Sequence, residues 1–167
     1  FSAIQYNQFN DTSEMIYAVN GAVRKRIDDT TVFEWGIEPP LIAATLGVGT
    51  GSGLTGTYFV KYTYLRKVGT TIVSESNPSP ISSSQAMSNQ ALRVTFTASS
   101  DAQVTHVRIY RTLANDTNFY FDQDIAIGST TVDTTTADAD LGFIIANNHD
   151  RPPVGSDLCI GPLFGGY

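Results

Sequence analysis

Apolar and polar positions along this chain tend to alternate with a period of two, and helical three- and four-residue spacings do not recur. The runs EMIYAV (14–19) and AVRKRI (22–27) flank Asn20-Gly21, a dipeptide that tolerates the two positive φ angles of a type I′ turn, so a hairpin is predicted there. A third strand, Thr31 to Trp35, ends at Gly36, and Pro39-Pro40 closes the unit. Three strands are too few for an independent core, so residues 1–40 are expected to pack on something else, with a neighbouring chain completing the sheet.

Residues 41–56 (LIAATLGVGTGSGLTG) read as a Gly-rich linker. Strands are predicted next over 57–67 and 70–74, joined around Gly69, and a Ser-rich turn over 76–90 follows them. Leu92, Val94 and Phe96 share one face of a further strand, and Val107 and Ile109 point inward from another over 104–111. Two last strands, 118–127 and 129–134, are separated by Gly128. Short strands with turn signals between them predict an antiparallel β-sandwich over 57–146. The irregular segment 147–167, with Pro152-Pro153 and Gly155, reads as an arm or connector.

The run Tyr58 to Tyr64 poses the main functional question. On a strand, Tyr58, Val60, Tyr62 and Tyr64 face one side, and Phe59, Lys61 and Thr63 the other. A continuously apolar face opposite a mixed one is what a sandwich strand needs, so core packing is the expectation. The alternative is an exposed aromatic platform for a sugar or peptide.

Composition narrows the function classes. The 167 residues are enough for one ordinary domain, able to bury roughly 70% of its unfolded surface without disulfide or metal staples. Only 16% of residues are charged, and the abundance of Thr, Ser, Gly, Asn and Tyr agrees with a β-rich chain. A net charge of -6 disfavours binding to a phosphate backbone. Arg24, Lys25 and Arg26 read as a solvated strand face, or more sharply as a surface for an acidic partner. No apolar run is long enough for a transmembrane helix, and no signal peptide opens the chain. Its start at Phe1 suggests a processed product or part of a longer protein. Cys159 is alone, which precludes an internal disulfide.

Candidate chemistry is sparse. GSGLTG (51–56) matches the dinucleotide fingerprint literally, but an aromatic strand follows it where a helix must hold the pyrophosphate. His106 and His149 lie near no second ligand at metal spacing, and no nucleophile elbow supports a catalytic triad. The pairs Asp122/Asp124 and Asp138/Asp140 have the carboxylates a glycosidase uses, although such acids are ordinarily solvated. Asp133, Asp138 and Asp140 form a weak calcium candidate without the EF-hand order. Asn10 and Asn115 stand in glycosylation sequons, which count only in a secreted eukaryotic protein. No cofactor is implied and no enzyme activity is expected.

GTYFVKYTY (56–64), Gly69 and SESNPSP (74–80) resemble the last two strands of a fibronectin type III-like domain. VRIYRT (107–112), Val132-Asp133-Thr134 and Asp140-Leu141 resemble its middle strands. In this order the motifs are similar to modules of tailed-bacteriophage virion proteins of the tail hub, nozzle or tail tip. IYAVNG (16–21) through WGIEPP (35–40) resembles the sheet unit that precedes the module there. The strands resembling the C-terminal pair come first here, as in a permuted domain. The resemblance implies a non-enzymatic structural protein of the virion, assembled in the host cytoplasm. It implies contacts with copies of itself and other virion proteins, and passive contact with packaged DNA. Pro152, Pro153, Leu163, Phe164 and Tyr167 are the expected subunit contacts. The alternative is a carbohydrate-binding sandwich module of a secreted enzyme or adhesin, with Trp35, Tyr58, Tyr62 and Tyr64 as its platform.

Overall fold

The computed structural model describes residues 2–6, 15–19, 24–28 and 31–146. Every regular element among them is a strand, apart from one 3₁₀ turn at Asp138–Asp140. No helix among the described residues is long and apolar enough to cross a membrane. The described residues divide into two compact units, one comprising those up to Gly36 and the other starting at Ile37.

The first unit is an antiparallel sheet of β1 (Ser2–Tyr6), β2 (Met15–Val19), β3 (Arg24–Asp28) and β4 (Thr31–Glu34), in that order. It has one strand more than the alternation predicted. The expected hairpin is present with a different register. Val19 pairs with Arg24, so residues 20–23 lie between the paired positions instead of the Asn-Gly dipeptide alone. A slip of two leaves every side chain on its expected face, because the side-chain period of a strand is also two. One member of the basic cluster departs from the expected solvated face: Arg26 is buried with its guanidinium over the Phe33 ring, whereas Lys25 stays partly exposed and pairs with Glu34 across the strands.

In the second unit, β5 (Thr45–Val48), β10 (Leu92–Thr95) and β13 (Thr131–Thr134) form a sheet ordered β13-β10-β5. Facing it is the sheet β12-β11-β7-β8, made of β12 (Phe119–Ala126), β11 (His106–Thr112), β7 (Val60–Val68) and β8 (Thr71–Glu75). A two-stranded ribbon of β6 (Leu54–Tyr58) and β9 (Gln85–Gln90) completes the unit. All pairings are antiparallel. The inner faces merge in one core that includes Leu54, Tyr62, Met87, Leu92, Val94, Phe96, Val107 and Ile109. The class is therefore all-β with a sandwich core, as the alternation indicated.

Two predicted boundaries move. Residues 41–56 are not a linker, because β5 pairs with β10 and Ala44 and Leu54 are buried in the sandwich. Two of the glycines, Gly49 and Gly56, instead permit close approach. Gly56 has φ +126°, and a Cβ there would sit 2.7 Å from the Ala114 side chain. The chain crosses between sheets at Phe59, whose amide donates to Thr112 Oγ1 and whose carbonyl accepts from the Thr112 amide.

The Ser-rich turn also proves to be structured. Where β8 ends, Ser76, Ser79 and Ser82 dock against Tyr64, Tyr62 and Val60 of β7. Each serine amide donates to the carbonyl opposite it, at 2.9, 2.8 and 3.0 Å. Each serine Oγ accepts the amide of that same β7 residue, at 2.9, 3.1 and 2.9 Å. Serines every third residue meet strand residues every second one. Three residues of the serine segment therefore cover the roughly 6.6 Å that two strand residues span, so the segment is more contracted along its length than the strand it lies beside.

Candidate functional site

Most of the charge in the second unit is drawn into arginine-centred networks. On the outer face of the four-stranded sheet, Arg108 of β11 grips Asp124 of β12 with both prongs of its fork, at 2.7 and 2.8 Å. Its third nitrogen reaches Glu75 at 3.4 Å. Glu75 also accepts from the Tyr110 hydroxyl at 2.7 Å and the Thr63 hydroxyl at 2.8 Å, while Lys67 donates to Asp124. Phe121 and Phe143 stack in parallel over this cluster, with the Arg108 guanidinium 4.7 and 5.4 Å from their ring centres. Burial opposes ionisation of Asp124, but hydrogen bonds from Arg108 and Lys67 outweigh it and hold the carboxyl below the usual range.

The second network surrounds Arg111, which is wholly buried. It donates to Asp138 at 2.7 Å, to the Thr112 carbonyl at 3.1 Å and to the Thr136 carbonyl, and it lies 5.1 Å from the Tyr58 ring centre. Asp138 in turn accepts the Ala114 amide at 2.7 Å. On its other side Arg111 lies 3.5 Å from Asp122, also fully buried, whose carboxylate oxygens make no hydrogen bond among the described residues. The guanidinium is thus what offsets the burial of that charge. A third pair, Arg93 with Asp133, is bidentate at 2.8 Å, and the Thr50 amide adds a donor at 2.7 Å. Chiefly because of the Arg93 hydrogen bonds, the Asp133 carboxyl is lowered to about 2.

This geometry separates the proposed chemistry residue by residue. Asp133 and Asp138 belong to different arginines, and no cluster of three metal-ligating side chains exists among the described residues. The calcium reading of Asp133, Asp138 and Asp140 is set aside on that ground. Asp122 and Asp124 are not solvated acids, since each is held by its own arginine. A general acid at neutral pH needs a raised carboxyl pKa, and Asp124 shifts the opposite way.

Tyr58, Tyr62 and Tyr64 are 1%, 0% and 6% exposed, so they are core and cannot form a sugar platform. Their hydroxyls donate to the carbonyls of Thr55, Ile42 and Thr97, which pins loops to the sandwich. Trp35 is half-buried in the other unit. His106 is half-buried, with Nδ1 2.9 Å from Thr105 Oγ1. Pro152, Pro153, Leu163, Phe164 and Tyr167, expected as subunit contacts, lie outside the described residues, as do His149 and Cys159.

The feature that sequence reasoning missed lies at the edge of the four-stranded sheet. Residues 142–145 run antiparallel to β12: the Gly142 and Ile145 amides donate to the Phe121 and Phe119 carbonyls, and the Phe121 amide donates to the Phe143 carbonyl. Between this segment and β7 lies a cleft of about 220 Å³, lined by Lys61, Thr117, Asn118, Phe119, Ile144 and Ile145. The Lys61 ammonium sits 4.9 Å from the Phe119 ring centre. The apolar run FIIA (143–146) was the available signal, but so short a run, paired through a single bridge, is hard to separate from a loop.

No family model matches this chain, and neither a curated protein nor a solved structure is significantly similar to it.

Proposed function

We propose that this protein is a non-enzymatic structural component of a tailed-phage virion, acting through contacts with copies of itself and other virion proteins. The observation that carries the reading is the strand order of the sandwich. Immunoglobulin-like sandwiches, a class that includes fibronectin type III domains, have C, F and G adjacent in one sheet and A, B and E in the other. On this reading β11, β7 and β8 stand as C, F and G, β12 as C′, and β5, β10 and β13 as A, B and E. In chain order the places run A, F, G, B, C, C′, E. On this assignment the F–G pair would precede B, which is the order of a permuted module.

Commitment of buried charge to arginine forks supports a framework role, because each arginine ties together strands or turns that lie far apart along the chain. Burial of the tyrosine face counts against the carbohydrate-binding alternative. An acidic surface suits passive contact with packaged DNA, which it would let slide past. The test is native mass by light scattering together with electron microscopy of the purified chain. A ring or multi-copy particle is expected. A monomer at all accessible concentrations would overturn the reading and make glycan-array binding the next measurement.

A further inference from the structure

We infer that the sheet edge formed by residues 142–145, with the cleft beside Lys61, is the surface on which a second copy of this chain docks a strand. The inference rests on the proposed assembly and names the place where it is made.

The backbone pattern comes first. Tyr120 and Ile144 form a bridge in which the hydrogen bonds run from the neighbours on either side. In such a pair the N–H and C=O of Ile144 point away from β12, presenting a donor and an acceptor to a further strand. Edges of this kind are ordinarily blunted by charge, proline or a bulge. The opposite edge of the same sheet follows that rule, with a register shift at Arg66/Lys67 and the serine segment taking over where β8 stops. The run GFIIA carries neither charge nor proline, its one irregularity lies at Gly142 and Phe143, which both bond Phe121, and beyond it Ile144 is 56% exposed.

The cleft supplies the second observation. Lys67, Arg93, Arg108 and Arg111 each have a carboxylate partner, whereas Lys61 has none among the described residues and rests on Phe119. Thr117 and Asn118 flank it above an apolar floor of Phe119, Ile144 and Ile145. The site thus suits an extended segment that carries a carboxylate next to an apolar side chain. A chain of net charge -6 whose described residues are rich in strand offers such segments on its own copies, which is the charge complementarity that favours a second copy.

The test uses the full chain in sedimentation equilibrium, with circular dichroism and thermal unfolding to check the fold of each variant. Ile144→Lys and Lys61→Glu are each expected to weaken self-association about tenfold or more. Val48→Lys, at an exposed apolar position on β5, is expected to leave it unchanged. Hydrogen exchange on the unaltered chain gives a readout that needs no variant. The Ile144 amide is expected to exchange freely in dilute protein and to be protected in the assembly. An assembly that resists both substitutions, or leaves the Ile144 amide unprotected, overturns this edge while the proposed structural role stands. A chain that remains monomeric overturns both.

Discussion

Tyr62 and Ser79 are joined by two reciprocal hydrogen bonds: the Ser79 amide donates to the Tyr62 carbonyl at 2.8 Å, and the Tyr62 amide donates to Ser79 Oγ at 3.1 Å. Both residues are buried, so this serine hydroxyl serves in place of the carbonyl a neighbouring strand would supply. Ser79→Ala is therefore expected to strand the Tyr62 amide and cost about 1–3 kcal/mol in denaturant unfolding. Ser83→Ala, at an exposed position outside the ladder, should stay within about 0.5 kcal/mol of the parent. Equal effects at the two sites would show that the ladder contributes nothing of its own.

Arg111 and Asp122 bury opposite charges 3.5 Å apart. Arg111→Met leaves the Asp122 carboxylate without its counter-charge and frees the turn held through Asp138, at an expected cost of about 3–5 kcal/mol. Adding Asp122→Leu removes the orphaned charge and should recover part of that loss. A double-mutant cycle measures the coupling, and additive effects would mean that the pair does not act as one unit.

Asp133 ties β13 to β10 through Arg93 and caps the loop at Thr50. Its folded carboxyl lies at about 2, below the ordinary 3.8, so the stabilisation is complete above the ordinary value and is lost as pH falls towards 2. Thermal unfolding between pH 5 and pH 2 should show a steeper decline for the parent than for Asp133→Asn. Parallel curves would remove Asp133 from the acid sensitivity.

At the alkaline end, burial pushes the Tyr64 hydroxyl up to about 12. A group whose folded pKa is raised contributes stability below its unfolded value of 10, and that contribution is lost as pH rises from 10 to 12. Tyr64→Phe, which has no proton to lose, should unfold less steeply over that interval. It should be less stable at neutral pH, since the bond to the Thr97 carbonyl is gone. An unchanged alkaline profile would indicate that other groups govern it.

Sequence alone determined the local elements of this protein. Two-residue periodicity is a property of each strand by itself, so Leu92, Val94, Phe96, Val107 and Ile109 were assigned to the core and are buried there. The inward face of Tyr58, Tyr62 and Tyr64 was legible for the same reason, and so was the hairpin of β2 and β3. What a residue meets across the fold depends on partners far along the chain, and this only the tertiary structure decided. Arg111 reaches Asp138 and Arg93 reaches Asp133, so acids that looked like metal ligands became salt-bridge partners. The serines at 76, 79 and 82 could be seen at spacing three beside two prolines, but β7 had to lie alongside before that spacing meant a ladder. Residues 41–56 look like a linker because glycine is abundant, yet two of these glycines admit close neighbours: Gly49 faces Asp133 and Gly56 faces Ala114. The edge at 142–145 exists only because β12 supplies its partner carbonyls and amide. Local propensity is written in the order of residues, whereas long-range pairing depends on which segments come together in the folded chain.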